Sequence, residues 1–148
     1  MIPVKDIQDA WIADINAHLK GSLGINTVDT HQPEYDNRTL AELMVLTPFV
    51  LLRYGRLQAV ESERAADGGS VLRRQEFSLV FGDTSLLSSE EARTGCYAML
   101  DAFRARYDGG TLVIPDEGQV DLQLEEEMFL DSEGGVVAYY AIYSFVQY

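Results

Sequence analysis

The residues best placed to do chemistry are three acids in the C-terminal third, Asp121, Glu125 and Glu127. Paired carboxylates serve as general acid and base, or hold a divalent cation between them. On a strand, alternate residues share a face, so these three are expected to stand together, with Asp131 continuing the row. A motif-free acidic ladder is more simply a solvated strand face. The histidines offer less. His18 has no neighbour to complete a dyad. His31 and Glu34 stand three apart, but Pro33 between them disfavours the helix that would align them. Neither histidine sits in a nucleophile motif. One cysteine and two histidines cannot assemble the usual zinc sites, and a lone Cys96 excludes an internal disulfide. Gly21 and Gly24 follow a helix, whereas a phosphate-cradling loop follows a strand and opens a helix. The expectation is a protein without catalysis, cofactor or metal. A small acidic metal-binding domain or enzyme built on the three acids is the minor alternative.

The elements that must position these residues start with the stretch from Ser88 to Tyr107. Ala92, Cys96, Met99, Leu100, Phe103 and Tyr107 fall on one helical stripe. Ser88 and Glu91 have the spacing of a capping box, and Asp108-Gly109-Gly110 ends the helix. An earlier helix is predicted over Val4 to Lys20, with Val4, Ile7, Trp11, Ile15 and Leu19 as its stripe and Gly21 and Gly24 as its stop. Residues 25–47 read as irregular, with a short extended piece at Ile25 to Asp29 and a short helix that Asn37 caps and Pro48 ends. In that helix Leu40, Leu43 and Met44 face inward. Strands are predicted over Phe49 to Val60, bent at Gly55, and over Val71 to Phe81, joined by an exposed tip from Glu61 to Ser70. Thr111 to Ile114 is short and limited by Pro115. Val120 to Leu130 and Val136 to Tyr148 then form a long hairpin turning at Asp131 to Gly135. In the first of these, Val120, Leu122, Leu124, Met128 and Leu130 share one face.

The fold class this predicts is α+β: an antiparallel sheet of about four strands in two hairpins, with two main helices packed on one face. All 148 residues fit one domain, made of the N-terminal helix (1–24), the irregular segment (25–47), and the sheet with its central helix (48–148). A strand of about 12 residues spans roughly 40 Å, more than one helix layer covers. Tyr139, Tyr143, Phe145 and Tyr148 on the last strand are therefore candidates for contacts between subunits.

The formal net charge of −13 argues against a surface built to grip nucleic acid. Its distribution is uneven. From Tyr107 onward there is no Lys or Arg, while the first hairpin carries Arg53, Arg56, Arg73 and Arg74. Like charges along a strand cost stability unless offset, and these arginines on an adjacent subunit would offset Asp121, Glu125, Glu127 and Asp131. Such a front-to-back contact, repeated with closure, gives a ring. Alternatively the acids line a passage that DNA traverses without sticking. No apolar run approaches the roughly 20 residues of a membrane span, and the N-terminus lacks the pattern of a secretion signal, which makes the cytoplasm the expected compartment.

From Thr47 to Tyr148 the chain resembles the Mu-like phage tail-terminator (tail-completion) family. The resemblance rests on Pro48 to Leu52 entering a strand with Gly55 and on the Phe77 to Phe81 strand. The helix stretch Glu91 to Leu100 (EARTGCYAML) and the long acidic hairpin complete it. It implies a non-enzymatic phage or prophage tail protein that caps the tail tube as a hexameric ring. It further implies contacts with the tube protein and the head–tail connector, and passage of DNA without sequence-specific binding. The place implied is the host cytoplasm during assembly, then the virion tail. A head–tail connector or neck protein is the alternative within the same setting. Gly95, mid-helix and costly by about 1 kcal/mol relative to Ala, is expected where helix and sheet approach closely.

Overall fold

The computed structural model describes residues 1–31, 35, 38–64, 71–85 and 89–147. Helix α1 (Val4–His18) buries Ile7, Trp11 and Ile15 at the helical spacing. A single turn, α2 (Lys20–Leu23), follows and ends at Gly24, whose φ of 65° is the left-handed conformation that glycine adopts without strain. Helix α3 (Ser89–Tyr107) buries Ala92, Cys96, Met99, Leu100, Phe103 and Tyr107, the whole of its expected stripe. The proposed caps Ser88 and Asn37 lie outside the described residues, as does the 65–70 part of the hairpin tip.

The main sheet holds five strands in the order β1 (Thr27–Thr30), β2 (Phe49–Arg64), β3 (Val71–Thr84), β7 (Val136–Gln147) and β6 (Gln123–Glu133). This corrects the four-stranded antiparallel expectation. β1 runs parallel to β2, pairing Thr27–Thr30 with Phe49–Leu52. Parallel neighbours need a crossover connection, supplied here by the segment that contains a 3-10 helix, Ala41–Leu46. The remaining pairs are antiparallel. A separate ribbon pairs β4 (Thr111–Ile114) with β5 (Gly118–Asp121). The strand expected over Val120 to Leu130 is thus split at Leu122. There the main chain turns back to Gly109 and Gly110, whose N–H and C=O exchange bonds of 2.9 and 2.8 Å with it.

α1, α3 and the β4–β5 ribbon share one side of the main sheet, the helix side. Trp11 lies at the centre of their core, fully buried and edge-on to Phe77, Tyr107 and Tyr143 at centroid distances of 5.4 to 5.7 Å. Asp14 ties the two helices together. It accepts bonds from Arg106 Nε (2.7 Å), Arg106 Nη2 (2.8 Å) and the Tyr107 hydroxyl (2.7 Å). Gly95 meets not backbone but a side chain: a Cβ there would lie 1.7 Å from Asp83 Oδ2 and 2.8 Å from its Cγ. On the other side of the sheet, the 3-10 helix covers only one end, burying Leu43 against Phe49, Leu51 and Val136.

Two expectations about the last hairpin do not hold. Tyr143 and Phe145 are 1% and 2% exposed, so they belong to the core of a single chain and are not free for subunit contacts. Their partners are Trp11 and Phe77, which the local pattern of β7 does not reveal. The simple alternation of β6 also fails. A register shift between Leu124 and Glu126 leaves Glu125 as an extra residue, which turns the side chains from Glu126 to Phe129 to the opposite face until a second shift, between Phe129 and Asp131, restores the original phase.

Candidate interaction surface

Because of that bulge, Glu127 and Phe129 point to the helix side and Glu126 and Met128 to the far side. Their cross-strand partners fix this: Glu127 is opposite buried Ala141 and Phe129 is opposite Tyr139, whereas Met128 is opposite Tyr140. On the helix side a groove of about 440 Å³ runs between α3 and β6. Tyr97, Leu100, Asp101 and Arg104 line it from α3, spaced so that they share one flank of the helix. Arg104 closes one end, gripping Glu127 with Nε (2.8 Å) and Nη2 (2.6 Å) and Asp101 with Nη1 (2.9 Å). At the other end Tyr97 and Tyr139 share a hydroxyl–hydroxyl bond of 3.1 Å, and Phe129 packs edge-on to Tyr139 at 5.5 Å.

The far side carries a second hollow of about 510 Å³, lined by residues that include Arg53, Val80, Leu130, Tyr140 and Ile142. Between the two hollows runs β6, an outer strand of the sheet whose second edge pairs with no described strand. Met128, Phe129 and Leu130 are 49%, 45% and 49% exposed in succession along it. An open edge carrying consecutive apolar side chains is a template for a further strand. The acids beside it also keep such an edge from pairing indiscriminately.

The sequence candidates fall in different places. Asp121 is on β5, away from the main sheet, where it accepts a bond from Thr111 Oγ1 at 2.7 Å. Glu125 is the bulged residue and accepts a bond from Ser144 Oγ. Glu127 belongs to Arg104, and Asp131 is exposed near the end of β6. They do not form one ladder. Among the described residues no three His, Cys, Asp or Glu side chains converge where they could hold a metal ion. Of the basic candidates, Arg53, Arg56 and Arg74 lie on the far side, and Arg56 is fastened to Glu76 by bonds of 2.9 and 3.2 Å. Arg73, opposite Gln147, lies on the helix side. Tyr139 is half-buried in the groove, and Tyr148 is outside the described residues. Tyr97, Met128, Phe129 and Leu130 form a surface that the sequence pattern alone does not mark. The available signal was an apolar triplet interrupting an acidic strand, and a tyrosine off the stripe of α3.

Two ionisable groups between α3 and the sheet are perturbed. Burial pushes the Cys96 thiol up to about 12, with the Asp83 carboxylate adding to the effect. Burial also raises Asp83, against a bond from the Thr84 N–H. Both are shifted chiefly by burial between helix and sheet, and neither lines the groove, so they read as packing consequences.

The fold is a two-layer α+β sandwich with its helices on one side of a mixed sheet. No family model matches the chain, and no curated protein matches it in sequence. Among solved structures it is similar to a chain of the virion of a native gene transfer agent particle. The TM-score is 0.56 and the identity 15%, covering 94% of this chain and 92% of that one. At that identity the likeness establishes the shared fold. A chain from the tail of an empty gene transfer agent particle, refined with C6 symmetry, aligns with a TM-score of 0.31. Its identity is 16%, over 67% of this chain and 78% of that one, too weak to carry an argument.

Proposed function

We propose that this chain is a structural subunit of a phage or phage-like tail, a terminator that caps the tail tube as a closed ring. The observation that carries the reading is the fold shared with a virion chain over nearly the full length of both. The surface fits the same role. The chain presents an open, apolar-flanked strand where assembly would be made. Its net charge of −13 would keep DNA moving through a ring. Six copies is the stoichiometry proposed, with the tube protein on one face of the ring and the head–tail connector on the other.

The test is assembly followed by binding. Light scattering over a concentration series and negative-stain imaging should show closed rings at high concentration. Rings should pellet with purified tail tubes. A mass that stays monomeric at every concentration refutes the ring, and binding to connector complexes without binding to tubes moves the role to the neck.

A further inference from the structure

The sheet has a second open edge. β1 covers only Phe49–Leu52 of β2, and among the described residues nothing pairs with β2 on that side from Arg53 to Arg64. Resting on the ring reading, we propose that this open half of β2 pairs with β6 of the next copy, so that one sheet continues from subunit to subunit.

Three features of the two edges agree. The first is length: β6 has 11 residues, roughly 37 Å at the usual rise, and the open part of β2 is closely similar. Direction is the second. β2, β3, β7 and β6 alternate in sense, so β2 and β6 are antiparallel within one chain. A neighbour joined head to tail without flipping the sheet therefore presents β6 antiparallel to β2, the commoner pairing. The third is charge. β6 carries Glu125, Glu126, Glu127, Asp131 and Glu133 with no base, whereas Arg53 to Ala59 carries two arginines and no acid. On the far side, exposed Arg53 would face Asp131 and Glu133 at the end of the neighbour's β6, with Met128 further along toward the β2–β3 tip.

β1 also dictates how the copies meet. Following the ladders across one sheet, Arg53 is level with Ser78, Ile142 and Glu126. A neighbour added straight alongside would put the residues after Glu126 where β1 already lies. Its β6 must slide toward the β2–β3 tip to find the open half. Successive strands displaced in this way give the stagger that lets a sheet close on itself instead of growing flat. A contact between two different patches closes into a ring when its rotation permits.

Disulfide trapping tests this. In a Cys96→Ala background, one cysteine is placed on β2 (Arg53→Cys or Gln58→Cys) and one on β6 (Met128→Cys or Glu133→Cys), all four on the far side of the sheet and brought near one another by that slide. These side chains are exposed, and melts of each variant check folding. At concentrations where rings form, mild oxidation should yield a ladder of covalent oligomers for at least one of the four pairings. Chains with a single cysteine should yield no ladder. Rings that persist without a ladder in any pairing overturn the edge contact and leave the tail reading standing; absence of rings overturns both. As an independent measure, Arg53→Glu should raise the concentration needed for assembly about tenfold, and Glu133→Lys in the same chain should restore it. An Arg53→Glu chain that forms rings at the wild-type concentration, or a double variant that stays impaired, also overturns the pairing.

Discussion

Replacing Gly95 by Ala sets two effects of similar size against each other, and Asp83 decides the sign. A helix-interior Gly→Ala exchange ordinarily stabilises by about 1 kcal/mol. Here the new methyl would sit 1.7 Å from Asp83 Oδ2, far inside any tolerable contact. Either the carboxylate swings away, losing the 2.7 Å bond from the Thr84 N–H, or α3 lifts from the sheet. Overpacking of this kind costs about 1–3 kcal/mol, so Gly95→Ala should destabilise by up to about 2 kcal/mol net. In an Asp83→Ala background the obstructing oxygen is gone, while the Cβ of residue 83 stays 3.4 Å away, close but passable. The same exchange should then stabilise by nearly 1 kcal/mol. Urea denaturation of the four proteins in a double-mutant cycle measures the coupling, expected at about 1–3 kcal/mol. Additive effects would refute the steric account. The single Asp83→Asn variant adds a pH check. Because burial raises Asp83, its contribution is fully present below the unfolded carboxylate pKa and is lost as pH rises through the folded value. Asp83→Asn should therefore gain stability relative to the parent as the pH is raised from 4 to 7.

Asp14→Asn should lose about 1–2 kcal/mol at pH 7, since Arg106 is partly exposed but the Tyr107 hydroxyl is not readily re-solvated, lowering Tm by about 3–6 °C. The Arg106 bonds, then the Tyr107 hydroxyl, hold Asp14 below the usual carboxylate range, so the parent's advantage should vanish as pH falls through that value; melts from pH 7 to 3 check this. Cys96 is fully buried with its thiol pushed up to about 12, so a thiol reagent at pH 8 should label it roughly a thousandfold or more slower than in urea; rapid labelling of the native protein would place it at the surface.

What could be read from the sequence is what local periodicity encodes. The stripes of α1 and α3 bury the residues their 3.6-residue spacing selects, because a helix offers only one face to a sheet. β3 alternates as expected, with Phe77, Leu79 and Phe81 inward, and Gly55 does mark a register shift in β2. The failures are tertiary. TVDT at 27–30 overlaps the short extended piece expected at Ile25 to Asp29, but its four half-buried residues carry no alternation to show that it joins the main sheet parallel to β2. The bulge at Glu125 has no composition of its own, yet it sends Glu127 to Arg104 and separates the acids that a strict two-residue period would align. Tyr143 looks like a surface aromatic until Trp11 is placed against it. The candidate surface shares this history: the exposure of Met128, Phe129 and Leu130 follows from β6 being outermost, a fact about strand order.

The central ladder of the sheet joins Arg73–Thr84 to Val136–Gln147, segments at opposite ends of the chain's second half. Such distant pairing makes folding slow relative to helical proteins of this size. It also imposes an order during synthesis. The β2–β3 hairpin emerges long before its β7 partner, and for that interval β3 is an unpaired edge rich in Phe, Leu and Val. Neither the second edge of β3 nor β6 finds its native partner until β7 has been made, so the five-stranded sheet is completed only by the strand that leaves the ribosome last of the five.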